Sequence, residues 1–355
     1  MGYFSYPFSF LEVDSSRVNG VLNLDPAVRY PLRGGGEGVY RRGALHLDAG
    51  TQLEVVLYHN PASATFMYLH EENLDANLLK LIGLSDVDLK GAVRLTLPGQ
   101  LCLGARRARL IDQAMSEIIG APVLAPTFEQ FKQHNMAVFP IAREGLKYQV
   151  PEAINGNYGY YCDEIILDAH HVFDSSVPIY NRKVEMTLFK DKDLDQRQKD
   201  KIRVAFIADS IASGLVMKEV IERIKERFDG VEQVEVIAPL ATVRGLCRVA
   251  RTSCMRDLRV RVHVFETLLN ALAPDYYYSA HFAEPEFHIR PDLEMAYRAW
   301  WGQDASGTEI AETACAGYGW SEVFYSPRKQ IEMINNQLEA RHGLKISDLL
   351  IRNLH

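Results

Sequence analysis

Arg203-Val-Ala-Phe-Ile-Ala-Asp-Ser-Ile-Ala-Ser-Gly-Leu-Val-Met217 is the stretch whose reading decides the fold. Val204 to Ile207 form a short, wholly apolar run of the kind buried on both faces of a parallel sheet. Asp209 stands at the C-terminal tip of that strand, and Ser210 to Gly214 make a turn of small and polar residues. Ile211, Leu215, Val220, Ile221, Ile224 and Phe228 then recur near helical spacing, which predicts a helix at once. A strand, an acidic tip, a small-residue loop and a helix N-terminus can hold a phosphate on backbone N–H groups. The adjacent carboxylate suits sugar hydroxyls.

Outward from this stretch the βα alternation continues. Val234–Ala238 and Val260–Phe265 read as strands, with Thr242–Ser253 a helix between them. Upstream, Ala105–Ile119 reads as a helix closed by Gly120 and Pro122, and a second short helix opens at Thr127. Ala137–Ala142 reads as a strand ending in the polar turn Arg143-Glu-Gly145. Leu146–Ile154 is expected to be helical and Glu164–Leu167 a strand. Residues 168–182 are expected as a polar loop carrying His170, His171 and Asp174, before an alternating strand at Val184–Phe189 and a charge-dense loop or helix at Lys190–Lys201. Asp292–Trp301 and Pro327–His342 predict further helices, the second with Pro at its start and Gly343 at its end.

The first hundred residues read differently. Gly and Pro recur, and Leu53–Tyr58, Ala64–Leu69 and Ala92–Leu97 are β-type runs. The cluster Gly34-Gly-Gly-Glu-Gly38 follows no strand and is closed by no Lys-Ser/Thr, so it reads as a loop rather than a phosphate cradle.

Composition narrows the class. The 355 residues are 47% hydrophobic and 24% charged, as in globular proteins with a substantial core. No apolar run approaches the roughly 20 residues that span a bilayer, and the N-terminus has no signal-peptide pattern, so no membrane partner is expected. A net charge of −7 argues against a nucleic-acid surface. Five cysteines without a C-x-x-C pair predict reduced thiols and a cytoplasmic location.

The stretch at 203–217 resembles the phosphoribosyl-diphosphate (PRPP) motif of type I phosphoribosyltransferases. Asp209 matches the motif's second acid and Ser213-Gly214 its Thr/Ser-Gly, while Ala208 replaces the first acid and Leu215-Val216 replace a Gly or Lys and a Thr. Pro140-Ile-Ala-Arg-Glu-Gly-Leu146 is similar to the pyrophosphate loop Pro-Ile-Leu-Arg-Ala-Gly-Leu of uracil phosphoribosyltransferases. Val234–Leu246 is similar to the strand and turn that follow the PRPP motif. Cys315–Tyr325 resembles the late segment that cups the base, without its Gly-Asp-Arg/Lys core. These segments stand in family order over roughly residues 105–330.

The resemblance implies a doubly wound parallel α/β sheet at 105–330, preceded by a β-rich region or small domain at 1–104 and followed by a helical extension at 331–355. It implies transfer of ribose 5-phosphate from PRPP to a nitrogenous base, with uracil the first guess, release of diphosphate, and Mg²⁺ as cofactor. Ser210, Ile211, Ala212, Ser213 and Gly214 would hold the 5-phosphate and Asp209 the ribose hydroxyls. Arg143, with Glu144 and Gly145 in its turn, would hold diphosphate, joined by Arg182 and Lys183 of an arm that closes. Gly317, Tyr318, Gly319 and Glu322 would face the base. Asp209 and Arg143 are the expected catalytic residues, in a homodimer or higher homo-oligomer.

Two other readings stay open. The changes at Ala208 and Val216 fit a non-catalytic sensor of a nucleotide or PRPP, or an assembly protein, on the same fold. A hydrogen bond to a charged group is worth roughly 1.5–3 kcal/mol, so two lost contacts weaken PRPP binding considerably. His281, Glu284, Glu286 and His288 instead suggest a metal-dependent hydrolase, as His170-His171 with Asp168 and Asp174 suggest a metal loop. Adjacent histidines point apart, and Pro285 interrupts the first cluster.

Overall fold

The computed structural model describes residues 2–7, 17–47, 52–68, 104–142, 144–176, 182–272 and 277–282, together with Ile289 and scattered positions from 328 to 347. Its centre is the predicted strand at 204, here β10 (Val204–Ala208), every residue of which is buried. β10 pairs in parallel with β6 (Met136–Pro140) on one side and with β11 (Gln233–Ile237) on the other. β11 pairs in parallel with β12 (Arg259–Phe265), and β6 with the two-residue β7 (Asp163–Glu164). The apolar runs of β10 and β6 are what a sheet covered on both faces requires, whereas β11 and β12 also bury Gln233, Glu235, Arg261 and His263.

The β-rich N-terminal stretch joins the same sheet. β5 (Gln52–His59) lies parallel to β12, and β4 (Glu37–His46), β2 (Arg17–Leu24) and β1 (Gly2–Pro7) extend the edge antiparallel. β3 (Val28–Pro31) pairs with β4 through the glycine turn, where Gly35 and Gly36 take φ of 90° and 87°.

Helices cover both faces. On one lie α1 (Pro61–Tyr68), α2 (Gly104–Ile119), α3 (Ala125–Gln130) and α4 (Val150–Tyr158), around a core that includes Tyr58, Phe66, Met115, Phe128, Tyr148 and Phe206. On the other lie α6 (Leu215–Arg227) and α7 (Val243–Ala250), after the one-turn α5 (Gln196–Lys199). Met217, Val220, Ile221 and Ile224 of α6 are buried, each worth about 1.5–3 kcal/mol against exposure. Arg328, Ile331, Glu332, Asn335, Asn336 and Glu339 are helical, and Gly343 ends that run at φ 61° with its N–H on Glu339 O at 3.0 Å.

Three expectations are corrected. Ala64–Tyr68 belongs to α1 rather than to a strand, because Asn60 Oδ1 accepts the Ser63 N–H at 2.6 Å and starts a helix. The helix expected from Leu146 is a single 3₁₀ turn at Gly145–Tyr148, and α4 begins only after Gln149, whose φ is 54°. The polar loop at 168–182 is largely β8 (Leu167–Phe173), paired antiparallel with β9 (Arg182–Phe189) in a two-stranded hairpin. The expected elements at Ala92–Leu97 and Asp292–Trp301 lie outside the described residues.

Candidate active site

Chain order reverses between β6 and β10. From β6 the chain passes outward to β7, then returns to β6's other side as β10 and runs on through β11 to β12. Crevices at such reversals, beyond the carboxyl ends of parallel strands, are where open α/β sheets bind ligands. Here the two strand ends carry the 141–145 turn and the 209–214 loop.

The two loops are pressed together at Gly145. A Cβ there would lie 1.9 Å from the Ala208 carbonyl oxygen, so only glycine permits this approach. The turn is closed by Gly145 N–H donating to Ile141 O at 2.9 Å. Glu144 is thereby carried against the β10 tip. The Ser210 hydroxyl donates to Glu144 Oε1 at 3.1 Å and the Tyr148 hydroxyl donates to the same oxygen at 2.5 Å. Tyr148 and Ser210 are themselves 2.7 Å apart. Phe66 of α1 supports Tyr148 edge-on, with ring centroids 6.4 Å apart.

Burial pushes the Glu144 carboxyl up, against the opposing pull of Tyr148, Ser210 and Lys147. Asp209 is pushed well above the usual carboxylate range, first by burial and then by the charge of Glu144, while the Ser210 N–H works the other way. The crevice therefore holds two carboxylates from different strands. The sequence readings missed that pairing and missed Tyr148, although Glu144 and Tyr148 are four residues apart.

The 210–214 loop is braced from behind by α7. Thr242 caps that helix, accepting the Gly245 N–H at 2.9 Å and donating to Ala212 O at 2.6 Å. Arg248 donates to Ser213 O at 3.0 Å. Gly214 sits at φ 77°, and a Cβ on it would meet Gly245 O at 2.5 Å. With these carbonyls drawn inward, the N–H groups of Ala212, Ser213 and Gly214 have no acceptor among the described residues. Three such donors leading into the N-terminus of the 13-residue α6 have the geometry with which backbone N–H groups can hold an anion.

The other expected residues fall variously. Arg143, Gly317, Tyr318, Gly319 and Glu322 lie outside the described residues. Arg182 opens β9, and Lys183 beside it pairs with Asp174 across the hairpin at 3.2 Å. His281 lies in β14 (Tyr277–Phe282), which pairs antiparallel with β13 (Leu269–Leu272), while Glu284, Glu286 and His288 lie outside the described residues. His170 Nδ1 is 3.8 Å from Asp168 Oδ1, and no group of three or more metal-ligating side chains occurs among the described residues. Two part-exposed carboxylates with oxygen donors alone still fit Mg²⁺ carried in by a phosphorylated ligand, since Mg²⁺ takes few protein ligands.

Fold and crevice define a doubly wound α/β protein with a loop of backbone N–H donors and a carboxylate pair at the strand-order reversal. No protein-family model matches the chain, and no curated protein matches it in sequence. Among solved structures, it is similar to an adenine phosphoribosyltransferase from Trypanosoma brucei in complex with AMP, pyrophosphate and ribose-5-phosphate, at 11% identity and a TM-score of 0.33, over 59% of this chain and 83% of that one. A hypoxanthine phosphoribosyltransferase from Staphylococcus aureus aligns at 13% identity and 0.29, over 44% and 74%. A hypothetical protein from Neisseria gonorrhoeae with bound ppGpp aligns at 8% and 0.30, over 45% and 80%. Among the described residues no helix is long and apolar enough to cross a membrane.

Proposed function

We propose that the crevice binds PRPP and transfers its ribose 5-phosphate to a nitrogenous base, a pyrimidine such as uracil being the first candidate, with release of diphosphate. The observation that carries this reading is the juxtaposition of the Ala212–Gly214 cradle with Asp209 and Glu144 at one strand-order reversal. The cradle supports the 5-phosphate, and Asp209 the ribose hydroxyls. In this reading Glu144, which contacts Ser210, would serve in place of the acid that the motif lacks at Ala208. Mg²⁺ would be held by Asp209 and Glu144 and would neutralise the departing diphosphate. Arg143 is assigned to diphosphate on the sequence resemblance, as are Arg182 and Lys183. The β8–β9 hairpin, which rises beside β6 through the Ile141–Leu167 bridge, is suited to cover it. A homo-oligomer belongs to the same reading.

A second reading, a PRPP or nucleotide sensor using the same crevice without turnover, is favoured by Ala208 and Val216. Calorimetric titration of PRPP with Mg²⁺ and an assay of diphosphate release over a panel of bases separate the two. Binding with release supports the transferase, binding without release supports the sensor, and no binding at millimolar PRPP removes both. Asp209→Asn should abolish the binding. Unchanged affinity in that variant would move the site elsewhere.

A further inference from the structure

Tyr148 belongs to the crevice, and the reading above gives it no part. The residue is fully buried, and its hydroxyl lies between Glu144 and Ser210. Two backbone constraints hold it there. Gly145 opens the 3₁₀ turn against the Ala208 carbonyl, where no Cβ would fit. Gln149 closes the turn at φ 54°, a left-handed conformation that costs energy for a residue other than glycine and persists only where the surroundings fix it. With its ring also against Phe66, Tyr148 presents its hydroxyl with little play.

Proton accounting shows what that hydroxyl does. A hydroxyl carries one proton and an ionised carboxylate none. Tyr148 donates to Glu144 Oε1 at 2.5 Å. The Ser210 hydroxyl, 2.7 Å from the Tyr148 oxygen and 3.1 Å from Glu144 Oε1, has both as acceptors. Oε1 is therefore turned toward two hydroxyls, while Oε2 has no hydrogen bond among the described residues and Glu144 is part-exposed. Glu144 offers one oxygen rather than two. Because Ser210 directly follows Asp209, the contact sets this carboxylate beside the β10 tip, where Asp209 feels its charge.

One oxygen or two is a choice between cations. Ca²⁺ accepts a carboxylate through both oxygens in a loose, variable shell, whereas Mg²⁺ keeps near-octahedral order and uses few carboxylates. A carboxylate with one oxygen pinned by a rigid donor suits the stricter ion. Resting on the PRPP reading of the crevice, we infer that Tyr148 is a positioning residue that sets cation selectivity. By holding Glu144 Oε1 it restricts Glu144 to coordination through a single oxygen, and so favours Mg²⁺ over Ca²⁺ beside the phosphorylated ligand. Without the Tyr148 hydroxyl, Oε1 keeps only the longer Ser210 contact, and that hydroxyl is free to rotate.

The test is calorimetric titration of the full chain with PRPP at saturating Mg²⁺ and, separately, at saturating Ca²⁺. Wild type should bind PRPP roughly tenfold more tightly with Mg²⁺. Tyr148→Phe keeps the ring and its packing on Phe66 and removes the hydroxyl alone. Its Mg²⁺-to-Ca²⁺ affinity ratio should fall about fivefold or more, with affinity in Ca²⁺ unchanged or higher. An unchanged ratio, or equal losses with both ions as a merely structural role would give, overturns the assignment and leaves the PRPP site standing. Wild-type binding that is equal with the two ions, or that needs neither, does the same. Absence of wild-type PRPP binding with both ions removes the PRPP reading and the assignment with it. Should Tyr148→Phe fail to fold, Tyr148→Met, which also fills the space without a hydroxyl, takes its place under the same expectations.

Discussion

Gly145 and Ala208 touch so closely that a Cβ on the first would lie 1.9 Å from the carbonyl oxygen of the second and 2.9 Å from its carbonyl carbon. Both atoms are backbone of the central strand and cannot swing aside. Gly145→Ala should therefore cost about 1–3 kcal/mol in urea unfolding and separate Glu144 from Ser210. Gly156→Ala, inside α4 with only Arg33 Nη1 at 3.7 Å, should instead stabilise by roughly 0.5–1 kcal/mol. Equal effects at the two sites would count against the close approach.

The carboxylate pair gives stability a definite pH dependence. Asp209 and Glu144 are both raised in the folded state, so the native protein holds protons that the unfolded chain has lost. Their contribution is fully present below the ordinary carboxylate range and is lost as pH rises through the raised values. Asp209→Asn should flatten this slope and stabilise the protein at neutral pH, and on the proposed function should also remove PRPP binding. Urea midpoints across a pH series provide the check.

Glu117 of α2 makes a separate titration. It is buried, Oε2 has no partner among the described residues, and burial raises its carboxyl to about 7 against the pull of Gln113. Stability tied to it is present below the usual carboxylate range and disappears between there and about pH 7. Glu117→Gln should recover about 3 kcal/mol at pH 8 and change little at pH 4, as read by unfolding at those two pH values.

A buried ionic network links the interior of the same strands. His263 Nε2 and Arg261 Nη1 lie 2.7 and 3.2 Å from the Glu235 carboxylate, and the Tyr58 hydroxyl is 2.7 Å from His263 Nδ1. Burial alone would raise Glu235, but His263, Arg261 and Gln233 together hold its carboxyl below the usual range. Glu235→Leu leaves Arg261 without this partner and should destabilise by about 3–5 kcal/mol. A urea midpoint close to wild type would refute that accounting.

Much of the fold was legible because β10 is an apolar run and β12 alternates Val with Arg261 and His263. Val204 to Ile207 and Val260 to Phe265 lie within β10 and β12, and Thr242 marked a helix start that its side chain does cap. Errors arose where local chemistry outweighed pattern. The β-type residues Thr65 to Tyr68 follow the Asn60–Ser63 cap into α1, and His170, His171 and Lys183 look like loop because the hairpin they lie on leaves them exposed. The site was half legible. Asp209 and the cradle are contiguous, whereas Glu144 reaches Ser210 from 66 residues away. No spacing rule links them, since the contact depends on how two strand ends are brought together.

The parallel junction of β5 with β12 also constrains how the molecule comes into being. Tyr58 and His263, partners inside that junction, are 205 residues apart. Closing so long a loop must precede any reward from the pairing, which slows folding through contact order. On the ribosome, β5 is made long before the strand that completes it. Until residue 265 emerges, an apolar strand whose later partner does not yet exist stays open to wrong pairing, so this chain should depend on protection during synthesis more than its size suggests.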